Sequence, residues 1–190
     1  GASTQALFAR VGGGIYTNTI ITASGRCGIN LYWKVSDNTL TIFGTGAMYN
    51  YQDNTINGAP WRSLNPAPTS LVMEEGITHI GDYAFDDCSN LTGSLTIPNS
   101  VTSIGRSAFY GCSGFIGDLT ISDNITSIGI YAFRDCSGFT GDLTIGNSVT
   151  TIEDHAFGYC TSLTSVTIGD GVTSIGYYAF EYCNSLESVT

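Results

Sequence analysis

Positive charge is the scarcest commodity in this chain. Its 190 residues hold six Lys and Arg against sixteen Asp and Glu, with two histidines, for a net charge of -10. The deficit is uneven: residues 1–70 carry Arg10, Arg26, Lys34 and Arg62 against Asp37 and Asp53, whereas residues 71–190 carry only Arg106 and Arg134 against fourteen acids. An array so acidic repels phosphate backbones and anionic lipid surfaces, which excludes nucleic acid as a partner. No apolar run approaches the roughly 20 residues that span a bilayer, so membrane insertion is not expected, and no signal segment is readable. Hydrophobic residues at 42% with charged residues at 12% describe a folded chain, not a disordered one.

Catalytic signatures are missing too. No Gly-x-Ser-x-Gly elbow, phosphate loop or Cys-x-x-Cys occurs. His79 and His155 have no partner at metal-ligand spacing and read as surface residues. Asp82, Asp86 and Asp87 cluster without the order of a calcium loop. No catalytic residue, metal or cofactor is assigned, and the chain reads as non-enzymatic.

What the sequence has is one phrase written five times. Its clearest copy is Leu95 to Asp118, LTIPNSVTSIGRSAFYGCSGFIGD, and the copies start at Leu71, Leu95, Leu119, Leu143 and Val166. A period of about 23 to 24 residues is that of a solenoid whose coils bury one another's apolar faces. Positions apolar in every copy, quoted from the second, are Leu95, Ile97, Val101, Ile104, Ala108 and Phe109. Leu-Thr-Ile alternates as a half-buried strand, and Ala108, Phe109 and Cys112 share one face of a short helical turn. Phe85, Phe109, Phe133, Phe157 and Phe180 then form the spine, and Phe115 closes its coil. Gly81, Gly105, Gly129 and Gly176 share a slot that reads either as a turn with positive φ or as an N-cap, and Glu153 fills it in the fourth copy.

Six cysteines would ordinarily suggest disulfides. Cys88, Cys112, Cys136, Cys160 and Cys183, however, hold one slot in successive copies. Coils stacked at about 4.8 Å keep such side chains parallel, whereas a disulfide needs Cβ atoms about 3.8 Å apart and facing each other. Buried thiols acting as small hydrophobes are expected.

Residues 1–70 read as an N-terminal, β-rich capping segment ahead of the array at residues 71–190. Ile15 to Thr22 has strand composition. LYWKV and TLTIF flank Ser36-Asp37-Asn38 as a β-hairpin ended by Gly44-Thr45-Gly46. Ala59-Pro60-Trp61 opens a short helix. Trp33, Phe43 and Trp61 are the expected apolar lid over the first coil.

These residues resemble the BspA-type leucine-rich repeats. The motif LTIPNSVTSIG-x-x-AF-x-x-C carries the likeness in all five copies, and the preceding CGINLYWKV…APW is similar to segments that lead into such arrays. The resemblance implies a right-handed leucine-rich-repeat solenoid with parallel β-sheet and short helical turns in each coil. It also implies an extracellular or cell-surface location and a role in adhesion or in binding a protein or glycan ligand. It brings no catalytic residues. A structural spacer in a longer surface protein, or an accessory module of a larger enzyme, are the alternatives.

Two surfaces are candidate ligand sites. One is the strand face, with Thr96, Thr120, Thr144 and Thr167 in a row and Asp118 and Asp142 stacked beside it. The other is the slot before Ala-Phe, where Tyr83, Tyr131 and Tyr178 alternate with Ser107 and His155; tyrosines give rigid contact area at low entropic cost. The segment from Leu186 to Thr190 begins another strand, and its open edge predicts self-association.

Overall fold

A computed structural model describes residues 5–8, 18–53 and 57–190, with backbone only for 5–8 and 18–20. Strands β1 (Gln5–Phe8), β2 (Asn18–Arg26), β3 (Gly28–Ser36) and β4 (Thr39–Met48) pair antiparallel in sequence order. The expected strand over residues 15–22 is β2 where described, and 15–17 with the preceding glycines lie outside the described residues. The β3–β4 turn is the two-residue type that favours a hairpin, with Asp37 at φ 48° and Asn38 at φ 59°.

Gly44-Thr45-Gly46 bends the hairpin instead of ending it. With Gly44 at φ 109° and Gly46 at φ 107°, β4 runs on to Met48. Its first half pairs in parallel with β5 (Ser70–Met73), and its second half with β6 (Ile77–Ile80). One bent strand thereby templates both flanks of the first coil. A Cβ at Gly44 would meet the Asn30 carbonyl at 2.3 Å, so only glycine fits there.

The coils form two parallel sheets where the sequence suggested a single strand row. One continues from β4 through β6, β7 (Ser103–Ile104), β9 (Ser127–Ile128), β11 (Thr151–Ile152) and β13 (Ser174–Ile175). The other stacks the Leu-Thr-Ile segments as β8 (Leu119–Ile121), β10 (Asp142–Ile145), β12 (Ser165–Ile168) and β14 (Ser188–Val189). Both lie in register, with Leu119 beside Leu143 beside Val166 and Ile104 beside Ile128 beside Ile152.

Between the sheets runs the aromatic column. Trp61 stacks on Phe85 at 5.4 Å, and the phenylalanines follow at 5.1, 5.2, 5.4 and 5.5 Å, with planes within 10° of each other from Phe85 to Phe180. Offset ring pairs at this distance contribute about 0.5–1.5 kcal/mol each beyond simple burial. Trp61 sits in a 3-10 turn, Pro60–Ser63, and Trp33 meets it edge-on at 5.9 Å. Phe43 is not part of the lid. It lies half-exposed on the opposite face of β4, stacked on Tyr32 at 5.8 Å. The alternation of a strand decides this: Ile42 faces the core, so Phe43 must face away.

The thiols form the next column. All six cysteines are unpaired. Cys112, Cys136, Cys160 and Cys183 each donate S–H to a phenylalanine carbonyl of the previous coil, at 3.0 to 3.2 Å. Burial pushes the thiols up, Cys88 to about 12 and the half-buried Cys183 to about 11. They are inert donors, not nucleophiles. Among the described residues no helix is long and apolar enough to cross a membrane.

Candidate functional site

The segment expected to be a helical turn has a different backbone. Each coil makes i to i+3 bonds, such as Ala84 N–H to the Gly81 carbonyl, but two residues per coil adopt left-handed φ. The first is the residue before Ala-Phe: Tyr83, Ser107, Tyr131, His155 and Tyr178, at φ 50° to 60°. The second is two residues beyond Phe: Asp87, Gly111, Asp135, Tyr159 and Tyr182, at φ 53° to 68°. Left-handed backbone costs an L-residue roughly 1–2 kcal/mol. An inter-coil ladder offsets it: Tyr83, Phe85 and Asp87 donate their N–H to the carbonyls of Arg106, Ala108 and Tyr110, and the pattern repeats along the stack.

Every bond of this ladder runs the same way, which explains the lid's chemistry. The first coil has carbonyls with no preceding coil to donate to them. Trp61 Nε1–H donates to the Ala84 carbonyl at 2.8 Å, and Tyr51 N–H to the Asp82 carbonyl at 2.8 Å. The glycines that share a slot between coils serve packing. Gly81, Gly105, Gly129 and Gly176 have ordinary φ, but a Cβ on Gly105 or Gly129 would lie within 2.7 Å of the preceding coil's backbone nitrogen. The positive φ lies two residues later than the sequence suggested.

In the later coils these slots carry a second aromatic ladder along the edge, half-buried at Tyr131, His155 and Tyr159 and exposed at Tyr178 and Tyr182. Tyr131, His155 and Tyr178 stack at 5.0 Å intervals, and Tyr159 lies 4.7 Å from Tyr182. His155 is a rung of this ladder and not isolated surface: its Nδ1 lies 2.8 Å from Arg134 Nη1 and 3.4 Å from Glu181. Arg134 in turn stands over Tyr159 at 4.6 Å and over Tyr131 at 5.5 Å. His79 bonds Ser103 Oγ through Nδ1 at 2.8 Å.

The ladder is interrupted in the second coil. Ser107 breaks the first file there; the second slot, which carries rings only in the last two coils, holds Gly111 and so has no side chain in this coil. A groove of about 540 Å³ opens at the interruption, lined by Tyr83, Tyr110 and Tyr131, by Arg106 and Arg134, and by Asp53, Asp86 and Asp87. Arg106 reaches across it: Nε–H donates to Tyr83 Oη at 3.1 Å, and the guanidinium lies 5.5 Å from the Tyr131 ring. Asp86 is 3% exposed. Its Oδ2 stands 2.9 Å from Arg62 Nη1, yet neither atom makes an aligned hydrogen bond. Burial pushes its carboxyl up to about 6, against the pull of the Arg62 guanidinium. Nothing in the sequence draws Asp53 to this place; it arrives on the loop after β4.

The structure places Tyr83, Tyr131 and Tyr178 on this edge, the first two flanking the groove. On the strand face, Thr120, Thr144 and Thr167 are exposed and in register, while Thr96 is exposed outside the assigned strands. Asp118 and Asp142 bond along the stack: Asp118 Oδ1 accepts the Asp142 N–H at 2.9 Å, and Asp142 accepts the Ser165 hydroxyl. The last coil presents Ile175, Tyr177, Tyr178, Tyr182 and Val189, each more than half exposed. Among the described residues no group of three or more His, Cys, Asp or Glu is placed to hold a metal ion.

In-register coils of about 24 residues, with parallel strands on both flanks and a shared aromatic spine, define a leucine-rich-repeat solenoid. Residues 65–187 match the BspA type leucine rich repeat region (6 copies), and the chain belongs to that family. No curated protein matches its sequence. Among solved structures, a leucine rich cell surface protein from Faecalibacterium prausnitzii A2-165 is similar, with a TM-score of 0.54 and 24% identity over 86% of this chain and 53% of that one. The T. pallidum leucine rich repeat protein gives 0.52 and 18%, over 86% and 91%. A leucine-rich repeat protein from Bacteroides ovatus ATCC 8483 gives 0.51 and 21%, over 85% and 51%. At these identities the likeness is one of fold.

Proposed function

We propose that this chain is a non-catalytic recognition module of an extracellular, cell-surface protein, and that it binds a protein or glycan ligand through its tyrosine-lined edge. The partly exposed aromatic ladder carries the reading. Rings held by packing on left-handed backbone form a preorganised contact surface, which loses little entropy on binding. The strand face is the weaker candidate, because Asp118 and Asp142 already spend their acceptors on the neighbouring coil. Family membership and the similarity to a protein described as a leucine rich cell surface protein support the location. That this chain spans only about half of two similar chains fits a module within a larger protein.

The test is capture by the immobilised chain of matrix proteins and arrayed glycans. Changing Tyr131 and Tyr178 together to Ala is expected to abolish capture, and changing Thr120 and Thr144 to Ala to leave it intact. The reverse result would move the site to the strand face, and capture unaffected by either pair would overturn both surfaces.

A further inference from the structure

The interrupted rung is the most specific feature of the surface. Four of the five coils place an aromatic ring in the slot before Ala-Phe, and the second places Ser107, which is 4% exposed at the floor of the groove. Because Gly111 leaves the neighbouring slot of that coil empty as well, the opening is wider than one missing side chain. Its volume, about 540 Å³, falls within the roughly 300–1,000 Å³ of small-ligand sites.

The lining narrows the occupant. Every wall residue is polar or aromatic and none is aliphatic, so an apolar anchor finds no partner. Arg106 and Arg134 oppose a cation, while Asp53, Asp86 and Asp87 oppose an anion. Tyr83 and Tyr131 flank the gap from adjacent coils on either side, and the electron-rich face of each ring attracts the weakly positive C–H bonds of a saturated ring. A neutral ring with hydroxyls on its rim satisfies all of these at once: its O–H groups donate to the carboxylates and its oxygens accept from the guanidiniums. Asp86 adds a buried carboxylate to the lining, held 2.9 Å from Arg62.

We propose that the gap at Ser107 is a subsite for a single neutral pyranose of a glycan, inserted between Tyr83 and Tyr131 in the place of the missing rung. This rests on the edge-binding reading above and gives it a ligand class. Arg106, the exposed side chain that bridges Tyr83 and Tyr131, swings aside and then caps the bound sugar.

The test fills the gap. Ser107→Tyr restores the residue that three other coils hold at the same left-handed φ, so the fold accepts it. Saturation-transfer NMR on the purified chain would use methyl glucoside, galactoside, mannoside and N-acetylglucosaminide as neutral probes, with glucuronate and glucosamine as charged ones. The wild type is expected to bind at least one neutral pyranoside, and S107Y to bind it at least tenfold more weakly. No neutral binding, preference for a charged sugar, or binding unchanged in S107Y would overturn the subsite. If S107Y retains macromolecular capture that the Tyr131 and Tyr178 pair loses, the edge reading survives and the subsite fails. If S107Y alone loses the sugar while that pair captures normally, the subsite stands without the extended edge.

Discussion

The solenoid carries two aromatic columns built on the same repeat and only two residues apart in sequence, and they behave as opposites. Inside, Phe85, Phe109, Phe133, Phe157 and Phe180 are the same residue in every coil, and the first four are at most 1% exposed. Outside, the slot before Ala-Phe reads Tyr, Ser, Tyr, His, Tyr. The inner ring touches rings of both neighbouring coils within a closed volume, so any change of size leaves a void or a clash. The outer ring shares its register but has solvent on one side, and the backbone ladder beneath it holds whatever residue is present. Uniformity therefore marks where coils support each other, and variety marks where one coil can differ without cost to the stack.

The comparison breaks most sharply at Phe133 and Tyr131. Phe133 stacks on Phe109 at 5.2 Å and on Phe157 at 5.4 Å. Phe133→Ala is expected to lower stability by about 3–5 kcal/mol, the usual cost of a large buried ring. Tyr131→Ala, half-buried and on the edge, is expected to cost less than about 1.5 kcal/mol. Urea denaturation followed by circular dichroism gives both numbers, and equal losses would erase the distinction between the columns.

Asp86 tests the border between the two columns, since it is buried but lines the groove. Arg62, Asp87 and Asp53 face it, and its carboxyl is raised to about 6 because the folded state favours the protonated form. The folded chain then binds this proton more tightly than the unfolded one. Asp86 therefore contributes most stability below its ordinary value near 3.8, and that contribution is lost as pH rises toward about 6. Glu75 works the other way, its carboxylate held low by the backbone N–H groups of Asn99 and Ser100, and its contribution is lost in acid. Subtracting the pH profile of Asp86→Asn from that of the wild type isolates the Asp86 slope, expected at about 1–3 kcal/mol between pH 4 and 6. Parallel profiles would mean that Asp86 titrates as an ordinary surface group.

At the end of the inner column, Trp61→Phe keeps a ring over Phe85 but removes the donor to the Ala84 carbonyl. An unpaired buried carbonyl costs about 1–3 kcal/mol, so thermal unfolding should fall accordingly. An unchanged midpoint would show that the lid acts through its ring alone.

The inner column was legible because five copies in one chain compare with one another: Phe at a fixed slot, Cys three residues on and alternating Leu-Thr-Ile needed no coordinates. The edge was legible only as a list of letters. No propensity places Tyr, His and Ser at positive φ; the inter-coil N–H to carbonyl ladder does, and that bond exists only once coils are stacked. The slot glycines misled for a related reason, since what constrains Gly105 is the neighbouring coil's backbone and not its own turn. Ser107 was visible as the odd member of its column. That Gly111 empties the second file in the same coil, and that Asp53 closes the groove from the cap, are facts of assembly. The bend at Gly44 and Gly46 was read as a stop because glycine punctuation looks alike whether a strand ends or turns.

The smallest expected effect is the most direct on the missing rung. Ser107→Tyr adds ring contacts to Tyr83 and Tyr131, worth about 0.5–1.5 kcal/mol each where stacking is good. Against this, the new ring displaces the Arg106 guanidinium from Tyr131, forfeiting about 0.5–1 kcal/mol of cation–π attraction at an exposed site. It also ends the Arg106 bond to Tyr83 Oη. The net gain should be a few tenths to about 1 kcal/mol, read as a small rise in thermal midpoint. A gain of that size would show that the second coil forgoes stability available to it. Stability would then not explain the serine, and the groove it opens would. A clear loss would mean instead that the walls at Tyr83 and Tyr131 are out of register with the ladder, so that the opening is a packing fault and not a place prepared for a ring.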